Sequence, residues 1–250
     1  MIMFYFSGTG NSKYIAELFC EKTDARCYSI EESFDFEEII NAEETLAFCY
    51  PVYMSRVPRI MREFAASHME SLKNKKIIIF CTQMLLSGDG ARAFAALFPR
   101  GHVNVIYAEH FFMPNNVSNS FIVPMASERL VKKYIRKSQR RMKNACENIK
   151  TGKIKKRGFN VFSQMLGFFQ APFLPWLERK ANRYVKITDD CTKCGICVSC
   201  CPTKNLVCES DALTHKNNCT MCCRCLNKCP KKAISPVFYG KVKKQYIFKV

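Results

Sequence analysis

Two stretches, CTKCGICVSCCP at 191–202 and CTMCCRCLNKCP at 219–230, repeat one spacing of thiols: three Cys at intervals of three, a fourth four residues on, then Pro. A chain that crowds thiols this densely either cross-links them or gives them to metal. The chain has 16 Cys in 250 residues, and its first residues, MIMFYF, have neither the length nor the chemistry of a secretory leader. Disulfide frameworks belong to oxidising compartments, so the count points to metal in a reducing, cytoplasmic setting. Zinc sites use Cys pairs or Cys/His sets totalling four ligands and have no reason to repeat a triplet plus Cys-Pro in tandem. An iron–sulfur cube suits the spacing better. Closely spaced thiolates let a tight loop wrap one corner of the cube, with amide N–H groups free to face the sulfides. The fourth ligand follows a further turn ending at Pro, which adds no competing donor.

Cys191, Cys194, Cys197 and Cys201, then Pro202, follow C-x2-C-x2-C-x3-C-P, as do Cys219, Cys222, Cys225 and Cys229, then Pro230. This segment resembles the two-cluster bacterial ferredoxins along its length, including the apolar residues after each Cys-Pro, Leu206 and Ile234. The resemblance implies crossed ligation, the fourth Cys of each copy serving the other cluster. Cys191, Cys194, Cys197 and Cys229 would hold one [4Fe–4S] cluster, and Cys219, Cys222, Cys225 and Cys201 the other. It also implies low-potential one-electron transfer. One departure is charge: such ferredoxins are commonly acidic, whereas 186–250 carries 12 Lys or Arg against four Asp or Glu. Its redox partners are therefore expected to present an acidic docking surface. Cys200 and Cys223 are spare thiols beside the ligand positions, read first as incidental, with substitute ligation or tuning of the potential as the alternatives. Most of the eight Cys outside the repeat (Cys20, Cys27, Cys49, Cys81, Cys146, Cys200, Cys208 and Cys223) are expected to be buried as small apolar residues.

The first half has a different rhythm. Apolar runs at 2–6, 26–30, 45–50, 76–81 and 103–108 read as strands, with helical patterns between them. Strands alternating with helices imply a parallel sheet covered on both faces. Five strands at this spacing suit a doubly wound α/β domain of flavodoxin-like order 2-1-3-4-5, whose ligands bind outside the carboxyl ends of the strands. The segment 127–150 reads as a long basic helix closing that domain.

At the first strand–helix junction stands FYFSGTGNSKYIAEL. Ser7, Thr9 and Ser12 supply hydroxyl donors, Gly8 and Gly10 permit close backbone approach, and the helix opening near Asn11 aims its free N–H groups at the same spot. Such a turn cradles a phosphate dianion without lysine. It is neither a Walker A loop nor G-x-G-x-x-G, since position 13 is Lys. It resembles the flavodoxin phosphate loop, [ST]-x-T-G-x-[ST], and the resemblance implies FMN. In that family the ring system lies between loops after the third and fourth strands, here Pro51-Val52-Tyr53-Met54 and Thr82-Gln83 onward to Gly88. Tyr53 is the stacking candidate, Met54 the cover for the dimethylbenzene edge, and Gln83 a contact for the pyrimidine edge. Asn115 and Asn116, after the fifth strand, read first as turn residues. His68, His102, His110 and His215 show no ligand spacing.

The sequence thus divides into a flavodoxin-like domain at 1–150, a connector at 151–182 and a two-cluster ferredoxin-like α+β domain at 183–250. The connector includes the uncharged stretch GFNVFSQMLGFFQAPFLPWL (158–177), whose Gly, Pro and amide residues argue against a membrane-spanning helix. It is expected to pack between the domains, with membrane-surface contact the lesser alternative. Net charge is +18, and 16 Lys or Arg fall between Lys132 and Lys186 against Glu147 and Glu178. They read as a solvated basic helix and linker or as a docking surface for an acidic protein or anionic lipid; no base-reading module accompanies them, so nucleic acid is not expected. The two halves together resemble the flavodoxin–ferredoxin fusion proteins of anaerobes, which implies an electron-transfer protein joining FMN to two clusters. Spacing alone yields no catalytic constellation. The alternatives are a ferredoxin-dependent flavin reductase of a quinone or other small acceptor, its substrate walled by the 158–177 stretch, and a redox or iron sensor. No nicotinamide fingerprint is present.

Overall fold

Met3 and Phe4 are neighbours in the chain, and in a strand neighbours face opposite ways. That alternation sets the two cores of the molecule. The computed structural model describes residues 1–118, 125–183, 185–209, 212–235, 242 and 244–248. Strands β1 (Ile2–Tyr5), β2 (Arg26–Ser29), β3 (Thr45–Pro51), β4 (Lys76–Gln83) and β5 (Asn104–Phe112) are all parallel, in the expected order β2-β1-β3-β4-β5. On one face Phe4, Phe48 and Tyr50 meet α2 (Phe36–Asn41), α3 (Arg59–Ser67) and α4 (Gly90–Ala95) through Phe36, Phe64 and Phe94. On the other, Met3, Cys49, Ile78 and Phe80 meet α1 (Asn11–Thr23) and α5 (Glu128–Lys150) through Ile15, Phe19 and Met142. Both faces are apolar because both are covered.

A sixth strand, β6 (Lys155–Lys156), pairs parallel with β5 at the sheet edge. Two consecutive lysines carry no strand signal in sequence. Glu109 explains the pairing. This β5 carboxylate, 2% exposed, meets Lys155 Nζ at 2.7 Å, Arg157 at 3.3 Å and Arg141 of α5 at 3.8 Å. Tertiary electrostatics, not propensity, fix this edge.

The segment expected as a connector then forms α6 (Val161–Gln170) and α7 (Phe173–Arg183), separated at Ala171-Pro172. Asn160 caps α6, accepting the Ser163 N–H at 2.8 Å. The expectation that this apolar stretch is packed between domains is corrected: Phe162, Phe168, Phe169, Phe173 and Trp176 are exposed, and Gly167 and Leu174 are buried. Nor are most of the Cys outside the repeat buried. Cys49 and Cys81 are, whereas Cys20, Cys27, Cys146, Cys200 and Cys223 are half-buried and Cys208 is exposed.

The remainder is a small unit with an internal two-fold plan. It comprises β7 (Lys186–Ile187), α8 (Ile196–Ser199), β8 (Leu206–Glu209), β9 (Ala212–His215), α9 (Arg224–Lys228) and β10 (Ile234–Ser235). The first strand of each thiol copy pairs antiparallel with the last strand of the other, β7 with β10 and β9 with β8. Left-handed backbone recurs in register, at Lys193 and Met221, Gly195 and Cys223, and Lys204 and Lys232. Cys223 thus occupies the place where the first copy has Gly195, which accounts for that spare thiol's position.

Burial pushes the Glu109 carboxyl upward, but the Lys155 hydrogen bond, the His110 N–H and the neighbouring cations outweigh it, so its pKa lies below the usual 4.5. A depressed carboxyl stabilises the fold above its unfolded pKa and loses that contribution as pH falls through the lower folded value. Glu109→Gln is expected to lower unfolding free energy by about 2 kcal/mol at neutral pH, the partners being partly solvent-screened. The gap to the parent, read by urea denaturation, should close in acid.

Candidate functional site

Beyond Tyr5 the chain turns through 6–10 and enters α1 at Asn11, with Gly10 at φ 105°. That left-handed setting needs glycine. Ser7 Oγ accepts the Gly10 N–H at 3.1 Å, and Thr9 Oγ1 accepts Asn116 Nδ2 at 2.9 Å. Each hydroxyl used as acceptor keeps its own proton to donate. Ser12 Oγ and Thr82 Oγ1, 2.7 Å apart, share one hydrogen bond and so leave one further O–H. These donors and the opening turn of α1 converge on one place, a chemistry suited to a dianion.

They form one end of a cavity of about 400 Å³ at the carboxyl ends of the strands. Among the described residues, no charged side chain lines it. Of the thirteen candidates expected from sequence for this site, all line it except Gly10 and Gly88. Gly10 shapes the turn, and Gly88 lies instead against Ser55 and the backbone of Gly167.

Tyr53 and Met54 reach the cavity from a strained hairpin. Tyr53 N–H donates to Arg56 O at 3.0 Å and Arg56 N–H to Tyr53 O at 2.9 Å. Between them Met54 and Ser55 have φ of 47° and 60°, the pattern of a two-residue turn that usually takes Asn-Gly. Such backbone costs about 1–3 kcal/mol per residue and persists only where its surroundings hold it. Here Ser55 is fully buried and donates to Gln170 Oε1 of α6 at 2.8 Å. Burial, then the neighbouring Cys222 and Cys223 thiols, push the Tyr53 phenol well above its ordinary value, so it remains protonated. Gln83 Oε1 is buried at the cavity without a partner among the described residues.

The second thiol row also lines the cavity, through Cys219, Cys223 and Cys225. Contact is direct: a β-carbon on Gly8 would overlap the Cys222 carbonyl oxygen. Arg224 closes the joint. Its guanidinium pairs with Glu31 at 2.9 and 2.8 Å and donates to Ser7 O at 2.8 Å, Gly8 O at 3.1 Å and Cys200 O at 3.1 Å. Asn227 Nδ2 donates to Asn116 O at 2.9 Å, and Tyr246 OH donates to Asn11 Oδ1 at 2.6 Å.

Cys191, Cys194 and Cys197 of the first row line a separate cavity together with Cys229 of the second. Backbone N–H groups aim at the sulfurs in matched pairs. Lys193 N–H donates to Cys191 and Met221 N–H to Cys219, both at 3.4 Å; Asn205 N–H reaches Cys201 at 3.2 Å and Ala233 N–H reaches Cys229 at 3.3 Å. Among the described residues no three His, Cys, Asp or Glu side chains close on a point as ligands of a single metal ion would.

Sequence reasoning missed part of this site. Asn115 and Asn116 are more than turn residues: both line the cavity, and Asn116 holds Thr9. Their place after β5 was the available signal. Leu177 and Ala181 of α7 also line it, and nothing in their spacing announces that.

Arg224→Ala should lower unfolding free energy by about 3 kcal/mol, because it strands Glu31 and several carbonyls at a partly buried joint. Arg224→Lys should recover little, since one ammonium cannot replace the fork. Denaturation midpoints would decide both.

The chain matches the model of the flavodoxin domain family over residues 2–166. Among solved structures, it is similar to a two-electron reduced flavodoxin of Megasphaera elsdenii at 18% identity, covering 44% of this chain and 85% of that one, TM-score 0.39. It is similar to an archaeal flavodoxin at 15% identity, covering 60% and 97%, TM-score 0.41. A third is general stress protein 14 of Treponema denticola in complex with FMN, at 13% identity, covering 58% and 96%, TM-score 0.42. A comparison with curated proteins found no match. With its family match spanning well over half its length and a doubly wound sheet in the expected order, the chain belongs to the flavodoxin domain family.

Proposed function

We propose that this chain is an electron-transfer protein that binds FMN in the 400 Å³ cavity and two [4Fe–4S] clusters on its thiol rows. The observation that carries the reading is one shared cavity, with the Ser7, Thr9 and Ser12 hydroxyls at one end and Cys219, Cys223 and Cys225 along another wall. When bound, a flavin exchanges electrons in pairs or singly and an iron–sulfur cluster carries one at a time.

The residues suit both groups. Three hydroxyls and the α1 N-terminus would hold the phosphate, Tyr53 would stack on the ring, and the buried Gln83 carbonyl would accept from its pyrimidine edge. Met54 would cover the dimethylbenzene edge. The protonated Tyr53 hydroxyl keeps a negative charge away from that wall. For the clusters, the fit rests on thiols gathered from both copies around one cavity and on paired N–H donors that stabilise thiolates. In this reading Cys191, Cys194, Cys197 and Cys229 hold one cluster, and Cys219, Cys222, Cys225 and Cys201 the other.

The second set would lie beside the flavin, and the first would face outward. Cys194 is exposed, and Lys193 and Lys231 line the same cavity mouth. An acidic redox partner docking there would complete the route. The reductase reading loses its motivating feature, because of 158–177 only Leu177 lines the cavity.

Anaerobic purification is expected to yield about one FMN and about eight iron per chain, seen together in a redox titration followed by visible and EPR spectra. A chain that stays colourless after reconstitution, or that holds only zinc, overturns the reading. Tyr53→Ala should weaken FMN binding by about tenfold with iron content unchanged. NADH alone should not bleach the flavin, and binding of an acidic ferredoxin should weaken as salt rises.

A further inference from the structure

The α6–α7 pair wears its apolar residues on the outside. Phe162 is 75% exposed, Phe168 73%, Phe169 65% and Trp176 45%, with Val161, Met165 and Phe173 also exposed. On α6 these positions, 161, 162, 165, 168 and 169, follow helical spacing and form one stripe. A helix on a water-facing surface normally turns such a stripe inward. Here the inward side is small and polar instead. A β-carbon at Gly167 would overlap the Asp89 carboxylate, and Gln170 is bonded to Ser55.

Nor can the pair roll over to hide its aromatics. Gly167 and the Gln170–Ser55 bond pin α6, while buried Leu174 and the Arg62–Glu178 pair, at 2.9 and 3.0 Å, pin α7. The ridge is therefore presented outward by contacts that the fold itself supplies.

Its flanks carry charge of one sign. From Lys150 to Lys180 the sequence has seven Lys or Arg and a single acid, Glu178, which Arg62 already engages. Lys153, Lys156 and Arg179 are exposed, and Lys180 Nζ lies 4.7 Å from the Trp176 ring centroid. No helix among the described residues is long and apolar enough to cross a membrane.

We propose that the α6–α7 ridge seats this protein on an anionic lipid surface, its Phe and Trp side chains entering the headgroup–acyl boundary and its lysines meeting lipid phosphates. An outward aromatic stripe with cationic borders is the chemistry of an interfacial helix. An apolar protein groove would need no cationic border. Leu177 and Ala181 of α7 line the large cavity, so the seated ridge adjoins the cavity wall. The inference does not draw on the cofactor assignment.

Trp176 is the one tryptophan of the chain, so its fluorescence reports this ridge alone. Adding vesicles of phosphatidylglycerol and phosphatidylcholine to the purified holoprotein should shift that emission to the blue and float the protein with the lipid. Vesicles of phosphatidylcholine alone should bind more weakly, and salt should release the protein. A Phe162→Ser, Phe168→Ser, Phe169→Ser variant and a separate Lys153→Glu, Lys156→Glu variant should each lower partitioning by about tenfold or more. Both change exposed side chains, and circular dichroism should show each of them folded. Absence of a shift and of flotation overturns the proposal, as does equal binding to both vesicle types or full binding by either variant. Concentration-dependent dimers that the serine variant abolishes, without vesicle binding, would overturn it in favour of an interface between copies.

Discussion

The structure depends on one close approach, the backbone of Cys222 against Gly8. A methyl group there would hold the thiol unit away from the loop that opens α1. Because none is present, the second thiol row becomes a wall of the same cavity that the Ser7, Thr9 and Ser12 hydroxyls enter. Arg224 then binds the loop's carbonyls from the thiol side while its charge is met by Glu31. Glycine in that loop serves protein packing as much as ligand approach, a use that its place in a phosphate-type turn does not advertise.

Much of this was legible in the chain. Alternating apolar runs placed five strands and their order, and SGTGNS placed the hydroxyl turn at the first junction. The thiol spacing grouped residues that are distant in sequence, and Cys229 does line one cavity with Cys191, Cys194 and Cys197. What escaped were features created by tertiary contact. Lys155-Lys156 becomes a strand because a buried Glu109 attracts it, Leu177 lines a cavity from a helix whose packing spacing cannot foretell, and Gly88 serves Ser55 rather than a ligand. The stretch 158–177 misled for a related reason: hydrophobicity predicts burial only when something is there to do the burying.

α6 has two jobs that pull on its composition. Its inner side needs Gly167 and Gln170 to fit beside Asp89 and to brace the left-handed Met54-Ser55 turn that carries Tyr53 into the cavity. Little apolar surface is then left for packing against the sheet, and the aromatics fall to the outer side. The strained turn and the exposed ridge are thus two consequences of how one helix is seated.

The exchange of strands in the small unit bears on how the molecule comes into being. Since β7 must find β10 and β8 must find β9, neither thiol copy has a complete set of neighbours until both have been synthesised. β8 and β9 are close in the chain, but pairing β7 with β10, far apart in sequence, is slow, because loop closure has to precede any gain. The parallel sheet, by contrast, has five of its strands before residue 113 and can assemble while later segments are still leaving the ribosome. On that order of events the finished sheet would act as a template, offering the Gly8 carbonyl and Glu31 as landing points for a late-maturing C-terminal half.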